Sequence, residues 1–150
     1  MINKLCYEFF REFARYEYCL KAAGFLCDKR VAQVNWDRYA MEVTPVFDSP
    51  EDTALKAAIE YFLEFPPKKQ IVKDGMLAWD NTPLEEKIIA KKILILIRRV
   101  RNNLFHGGKF NGEWFEPERS EVLMRHGLTI MEACRKSHPT VDEAYTGIVP

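Results

Sequence analysis

Apolar residues recur at three- and four-residue spacing through most of this chain, which predicts helices rather than strands. Leu5, Phe9, Phe13, Tyr16 and Leu20 form one such stripe, and Cys6, Phe10 and Cys19 widen it. A first helix is therefore expected from about Asn3 to Ala23, with Gly24 placed to end it. Glu17 and Lys21, four apart on its polar side, are spaced for a surface pair. The segment from Val34 to Ala40 fits one or two helical turns, with Trp36 and Tyr39 read as core anchors rather than ligand stackers.

Ser49-Pro50-Glu51-Asp52 has the form of a helix start: a capping Ser, Pro at the first helical position, then acids in the first turn. Leu55, Ala58, Ile59, Phe62 and Leu63 follow at helical spacing, and Pro66-Pro67 ends the run. Two short apolar segments, 70–73 and 76–79, flank Asp74-Gly75, the dipeptide suited to a type I′ β-hairpin. Thr82-Pro83-Leu84-Glu85 reads as a second start, a capping box with Pro at the first position. The helix behind it carries Ile88, Ile89, Ile93, Leu94, Ile95, Leu96, Ile97, Val100 and Leu104, so it is expected to be central or to line a subunit interface as well. Asn111-Gly112 between aromatic flanks predicts another tight turn. A last long helix is expected from about Pro117 to just before His138-Pro139, with Gly127 costing it about 1 kcal/mol relative to Ala. A short turn from Thr140 then closes at Gly147. The sum is an all-α, up-and-down bundle of four main helices with one or two small β-hairpins, a single domain over residues 1–150.

Composition fits a soluble globular protein, 47% hydrophobic and 29% charged. Formal net charge is zero, so any nucleic-acid contact has to come from a local patch. Such a patch is visible: from Lys87 to Lys109 every charged residue is positive, and Glu113, Glu116, Glu118 and Glu121 take over afterwards. A solvated helix face is the simpler explanation of the same run. Cys6, Cys19, Cys27 and Cys134 form no C-x-x-C pair and nothing before them reads as a signal peptide, which together predict free thiols in a reducing cytoplasm. No apolar run approaches the roughly 18 residues a membrane span needs, so no membrane partner is expected.

The chemistry concentrates in Arg98-Arg99-Val100-Arg101-Asn102-Asn103-Leu104-Phe105-His106-Gly107-Gly108-Lys109. His106, His126 and His138 lack the spacing that converges on zinc, so no metal is expected, and His126 and His138 read as surface or capping residues. Gly107-Gly108-Lys109 lacks the spacing of a phosphate loop and reads as a helix stop. On an ideal helix, positions five apart lie about 140° apart, so Arg101 and His106 do not share a face. Asn102 and His106, four apart, do. Convergence of the three needs the helix to end or bend near Phe105, or a second subunit to supply part of the site.

Arg101-Asn102-Asn103-Leu104-Phe105-His106 resembles the R-N-x-x-x-H signature of the HEPN superfamily, and the order of a long aromatic first helix, a very apolar helix leading into the motif and a further helix resembles it over most of the chain. The resemblance implies a small helical homodimer acting as a metal-independent endoribonuclease, with no cofactor and RNA as its partner. It implies that Arg101, Asn102 and His106 are catalytic at a composite dimer site and that Arg98, Arg99 and Lys109 bind RNA. A histidine's ordinary pKa of about 6.5 suits general acid or base work on the 2′-OH beside each phosphate. Arg101 would hold the phosphate and stabilise the charge that develops on it. It also implies a toxin or anti-phage defence role with an antitoxin or nucleotidyltransferase partner. In the toxin-antitoxin branch a modifiable tyrosine lies two positions after the histidine, and here that position is Gly108. The alternative from another class is a non-catalytic HEPN module that binds nucleotide or RNA, or assembles with an enzymatic partner. A purely structural reading also stands, in which Arg101 pairs with an acid of the first helix such as Glu17 and His106 caps helix carbonyls.

Overall fold

Helix α1 (Ile2–Ala22) buries Leu5, Phe9, Phe13, Tyr16, Cys19 and Leu20, the stripe legible in the sequence. It closes through Gly24 N–H to the Lys21 carbonyl and Phe25 N–H to the Leu20 carbonyl, the paired bonds of a Schellman end. The structure is a computed structural model that describes residues 2–106, 109–110, 113–114 and 116–147. Gly107, Gly108, the Asn111-Gly112 turn and Phe115 lie outside the described residues, and so does the side chain of Lys109.

Two short helices follow, α2 (Trp36–Glu42) and α3 (Thr44–Asp48). Asn35 caps α2 by accepting the Arg38 N–H at 3.1 Å. Helix α3, absent from the sequence reading, explains why Ser49 is not the cap of the next helix: Ser49 terminates α3 instead. Helix α4 (Thr53–Glu64) is capped by Asp52, whose Oδ1 accepts the Leu55 N–H at 2.8 Å. Asp52→Ala is therefore expected to cost about 1 kcal/mol while Ser49→Ala stays within a few tenths, a contrast read by urea unfolding. A larger loss at Ser49 would return the cap to it.

The hairpin forms as expected: β1 (Lys69–Lys73) pairs antiparallel with β2 (Met76–Asp80), and Asp74 (φ 52°) and Gly75 (φ 75°) make the turn. The expected helix start at Thr82 does not form. Asp80 Oδ1 takes both the backbone N–H (2.9 Å) and the hydroxyl (2.6 Å) of Thr82, and Glu86 Oε1 accepts the Ile88 N–H at 3.1 Å. The Thr82 hydroxyl that was to cap a helix is thus taken by Asp80, and α5 runs only over Ile89–Phe105. Strands β3 (Lys109–Phe110) and β4 (Glu113–Trp114) pair on either side of the Asn-Gly dipeptide. Helix α6 (Pro117–Ser137) is continuous through Gly127, and α7 (Pro139–Thr146) ends at Gly147.

The chain is mostly helical, and its four longest helices, α1, α4, α5 and α6, are the four expected. One contiguous core joins them. Helix α6 packs against α1, α4, α5 and α7, whereas α5 packs against α2, α3, α4, α6 and β1. Helix α5 buries Ala90, Ile93, Leu94, Leu96, Ile97, Val100 and Leu104 and leaves Ile89 exposed, so the central role is shared with α6. At the crossing of α1, α4 and α6, Gly127 is buried against Phe9, Phe62 and Ile97. Helix α7 is docked by polar chemistry: the Arg135 guanidinium, nine-tenths buried, pairs with Asp142 at 2.6 Å and lies over the Tyr145 ring. Cys19 and Cys134 are free thiols buried in the core, and Cys27 is a free thiol on the surface. No helix among the described residues is long and apolar enough to cross a membrane.

Candidate functional site

The carboxyl-terminal half of α5 presents its polar residues on two sides of one ridge. Arg98 and Asn102, four apart, form the ridge and line a groove on either side of it. The first groove, of about 470 Å³, lies between α5, β1 and the connection leading into α5, and is lined by Lys69, Gln70, Leu84, Ile95, Arg98, Arg99, Asn102, Asn103 and His106. Lys69, Arg98 and Arg99 bring three fixed positive charges to it, and among the described residues no carboxylate lines it. The second groove, of about 440 Å³, lies between α5, α1 and the approach to α2, and mixes Arg98 and Arg101 with Glu17 and Asp37.

His106 caps the end of α5: its backbone N–H still bonds the Asn102 carbonyl at 2.9 Å, so the helical path runs straight up to it. Its side chain is exposed and its ring meets Phe105 edge-on at 4.9 Å. The helix therefore does not bend early enough to swing His106 round to Arg101. His106 lines the first groove and Arg101 the second. Asn102, exposed on the shared ridge, is the motif residue common to His106 and Arg101.

Arg101 already has a carboxylate within the chain. Its Nη1 is 3.8 Å from Glu17 Oε1, its Cζ lies 5.0 Å from the Phe13 ring centroid, and its buried Nε has no hydrogen-bond partner among the described residues. The ion pair is long and half-exposed, which makes it a weak tether. Arg98 is held by its Nε donating to the Leu94 carbonyl at 3.2 Å and by the Trp36 ring beneath it at 5.1 Å. Burial pulls its pKa down, and the nearby Asp37 carboxylate opposes that shift. Arg99 donates to the Pro67 carbonyl at 3.1 Å and is likewise pulled down by burial, against Asp80. Asn103 donates to the Lys68 carbonyl at 2.7 Å. Arg99 and Asn103 together pin the hairpin to α5, which builds one wall of the cationic groove. Lys109 is described only as part of β3.

The two remaining histidines have structural partners. His138 Nδ1 accepts the Val141 N–H at 3.4 Å and its Nε2 is 3.1 Å from Glu42, so it caps α7. His126 is half-buried against the Tyr61 ring at 5.0 Å, and burial lowers its pKa. Among the described residues no group of three or more His, Cys, Asp or Glu is placed to hold a metal ion.

Sequence reasoning found the α5 residues but missed Lys69, Gln70 and Leu84 on one side and Trp36, Asp37 and Gln33 on the other. The one local signal was the Lys68-Lys69 pair straight after Pro66-Pro67. No family model, no curated protein and no solved structure matches this chain.

Proposed function

We propose that this chain is a HEPN-type, metal-independent endoribonuclease that works as a homodimer. The observation that carries this reading is the cationic groove, in which Lys69, Arg98 and Arg99 gather beside His106 with no carboxylate among the described lining residues. A phosphodiester is the ligand such a groove attracts, because its charge is fixed and its oxygens accept hydrogen bonds from guanidinium groups. RNA adds a nucleophile of its own beside every phosphate. His106 removes the 2′-OH proton as the oxygen attacks phosphorus, or protonates the departing 5′-oxygen; the products are a 2′,3′-cyclic phosphate and a 5′-hydroxyl. Arg101 neutralises the charge that builds on the non-bridging oxygens, and Asn102 orients the histidine or the phosphate.

Within one chain Arg101 and His106 line different grooves, so the proposed site draws Arg101 from one copy and His106 from the other. In this reading the domain is an up-and-down helical bundle of the HEPN kind, its cellular role is that of a toxin or anti-phage effector, and it acts in the cytoplasm. A second reading, a non-catalytic RNA- or nucleotide-binding HEPN module, draws on the contact of Arg101 with Glu17.

The test is cleavage of an end-labelled, unstructured RNA by purified protein in excess EDTA. The wild type is expected to cut it and His106→Ala to stop cutting. His106 has an exposed side chain, so circular dichroism of the variant should match the wild type. RNA left intact by the wild type at high concentration overturns the nuclease reading, and binding without cleavage selects the second one.

A further inference from the structure

Within one chain, the second groove is the poorer of the two for a phosphate. Its two arginines, Arg98 and Arg101, are balanced by two carboxylates, Glu17 and Asp37, whereas the groove across the ridge has three cations and, among the described residues, no carboxylate. A phosphate entering the second groove meets like charge and gives up the better site next to it. The remaining lining residues are the amides Gln33, Asn35 and Asn102, with Trp36, Cys27, Ala32 and Val34 beside them. Asn35 spends its Oδ1 on the Arg38 N–H. Asp37 is exposed on the first turn of α2; among the described residues it makes no hydrogen bond or salt bridge, and its charge acts on Arg98 through space.

The geometry points to this groove as a nucleobase subsite that selects a base carrying an exocyclic amino group and rejects uracil. This rests on the RNA reading proposed above. A strand lying across the Arg98–Asn102 ridge places a phosphate in the cationic groove and the neighbouring base in the mixed one, because those two residues line both. Carboxylates only accept hydrogen bonds, so Asp37 takes an N–H edge: the amino groups of cytosine or adenine, and best the adjacent N1–H and N2–H of guanine, which match its two oxygens. Uracil turns a carbonyl oxygen to the same place. The guanidinium of Arg98, held between groove and Trp36, offers a flat cation against which the base stacks.

Fluorescence anisotropy in EDTA with His106→Ala protein, which keeps the RNA whole, tests this with an all-uridine decamer and the same strand carrying one central guanosine, cytidine or adenosine. The guanosine strand is expected to bind about tenfold tighter than the uridine strand, within the range of one good base contact. Asp37→Asn removes a negative charge and so raises affinity for every strand slightly, but it is expected to shrink the guanosine-to-uridine ratio to within about twofold. Gln33→Ala, at an exposed position, serves as a second variant and is expected to narrow the ratio less. Equal binding of all four strands, or a preference that survives Asp37→Asn, overturns the base subsite and leaves the RNA reading standing. Failure to bind any strand overturns both.

Discussion

Mixing Arg101→Ala protein with His106→Ala protein, each inactive alone, is expected to restore about a quarter of wild-type RNA cleavage if the site is shared by two copies. Each single variant is expected to lose about 100- to 10,000-fold, the usual contribution of a positioned acid–base group or a charge-stabilising donor. Both follow from where α5 puts these side chains. Arg101 lines the groove shared with α1 and α2, His106 the one shared with the hairpin, and the ridge of Arg98 and Asn102 stands between them. After unfolding and refolding of an equal mixture, about half of the dimers carry one chain of each kind. Each mixed dimer has one site built from an intact Arg101 and an intact His106, and one site lacking both. Half the dimers with half their sites intact gives the quarter. If instead each chain makes its own site, every site in the mixture lacks one residue, and activity stays at the level of the single variants. That outcome sinks the shared site while leaving catalysis itself to the His106→Ala result.

The largest stability effect is expected at Gly127, where leucine should cost about 3 kcal/mol and alanine less than about 1 kcal/mol either way. A Cβ built there lies 3.2 Å from Phe9 Cε2, 3.7 Å from Ile97 Cγ2 and 3.9 Å from Phe62 Cζ. Alanine needs Phe9 to yield by a few tenths of an ångström and recovers about 1 kcal/mol of helix propensity, so the two effects nearly cancel. Leucine adds three more carbons where Phe9 and Phe62 are fully buried and have no free volume to move into. For a chain of this length each kcal/mol corresponds to about 2–4 °C in Tm, so thermal unfolding separates the variants by roughly 10 °C. Leucine tolerated as well as alanine would mean that α1 and α6 are not this close.

Much of the fold was legible because the periods are strong. The stripe of α1, and the ends of α1 and α6, lie where the apolar spacing and punctuation put them. The hairpin was legible for a different reason: a type I′ turn needs two residues with positive φ, and Asp74-Gly75 supplies them. Helix starts were harder. At Thr82 a capping box was present, but Asp80, two residues earlier, captured the Thr82 N–H and hydroxyl. At Ser49 the unforeseen α3 displaced the cap by three residues. Both failures are competitions between equally local hydrogen-bonding options, which a pattern of residue types does not rank.

The candidate site was half legible. Counting degrees round a helix separated Arg101 from His106, and the structure keeps them on different grooves. The pairing of Arg101 with Glu17, raised on sequence alone, is present at 3.8 Å. Side-chain capping of carbonyls by His106, raised beside it, is not among its described contacts, which are its backbone bond and the edge of Phe105. The walls facing α5 were not legible. Lys69 comes from a strand nearly thirty positions earlier, and Asp37 from a short helix more than sixty positions earlier. Only tertiary packing brings them together.

The polar cluster at α7 also bears on the order in which the chain can assemble. Arg15 donates to the Tyr145 carbonyl at 2.6 Å and Tyr145 donates to Glu12 at 2.7 Å, tying α1 to residues 130 and more positions away. The helices that α1 packs against most extensively are α6 and α7, made long after it. During synthesis the stripe of Phe9, Phe13 and Tyr16 thus waits for its main cover, an apolar surface open to chaperone capture until α6 and α7 emerge.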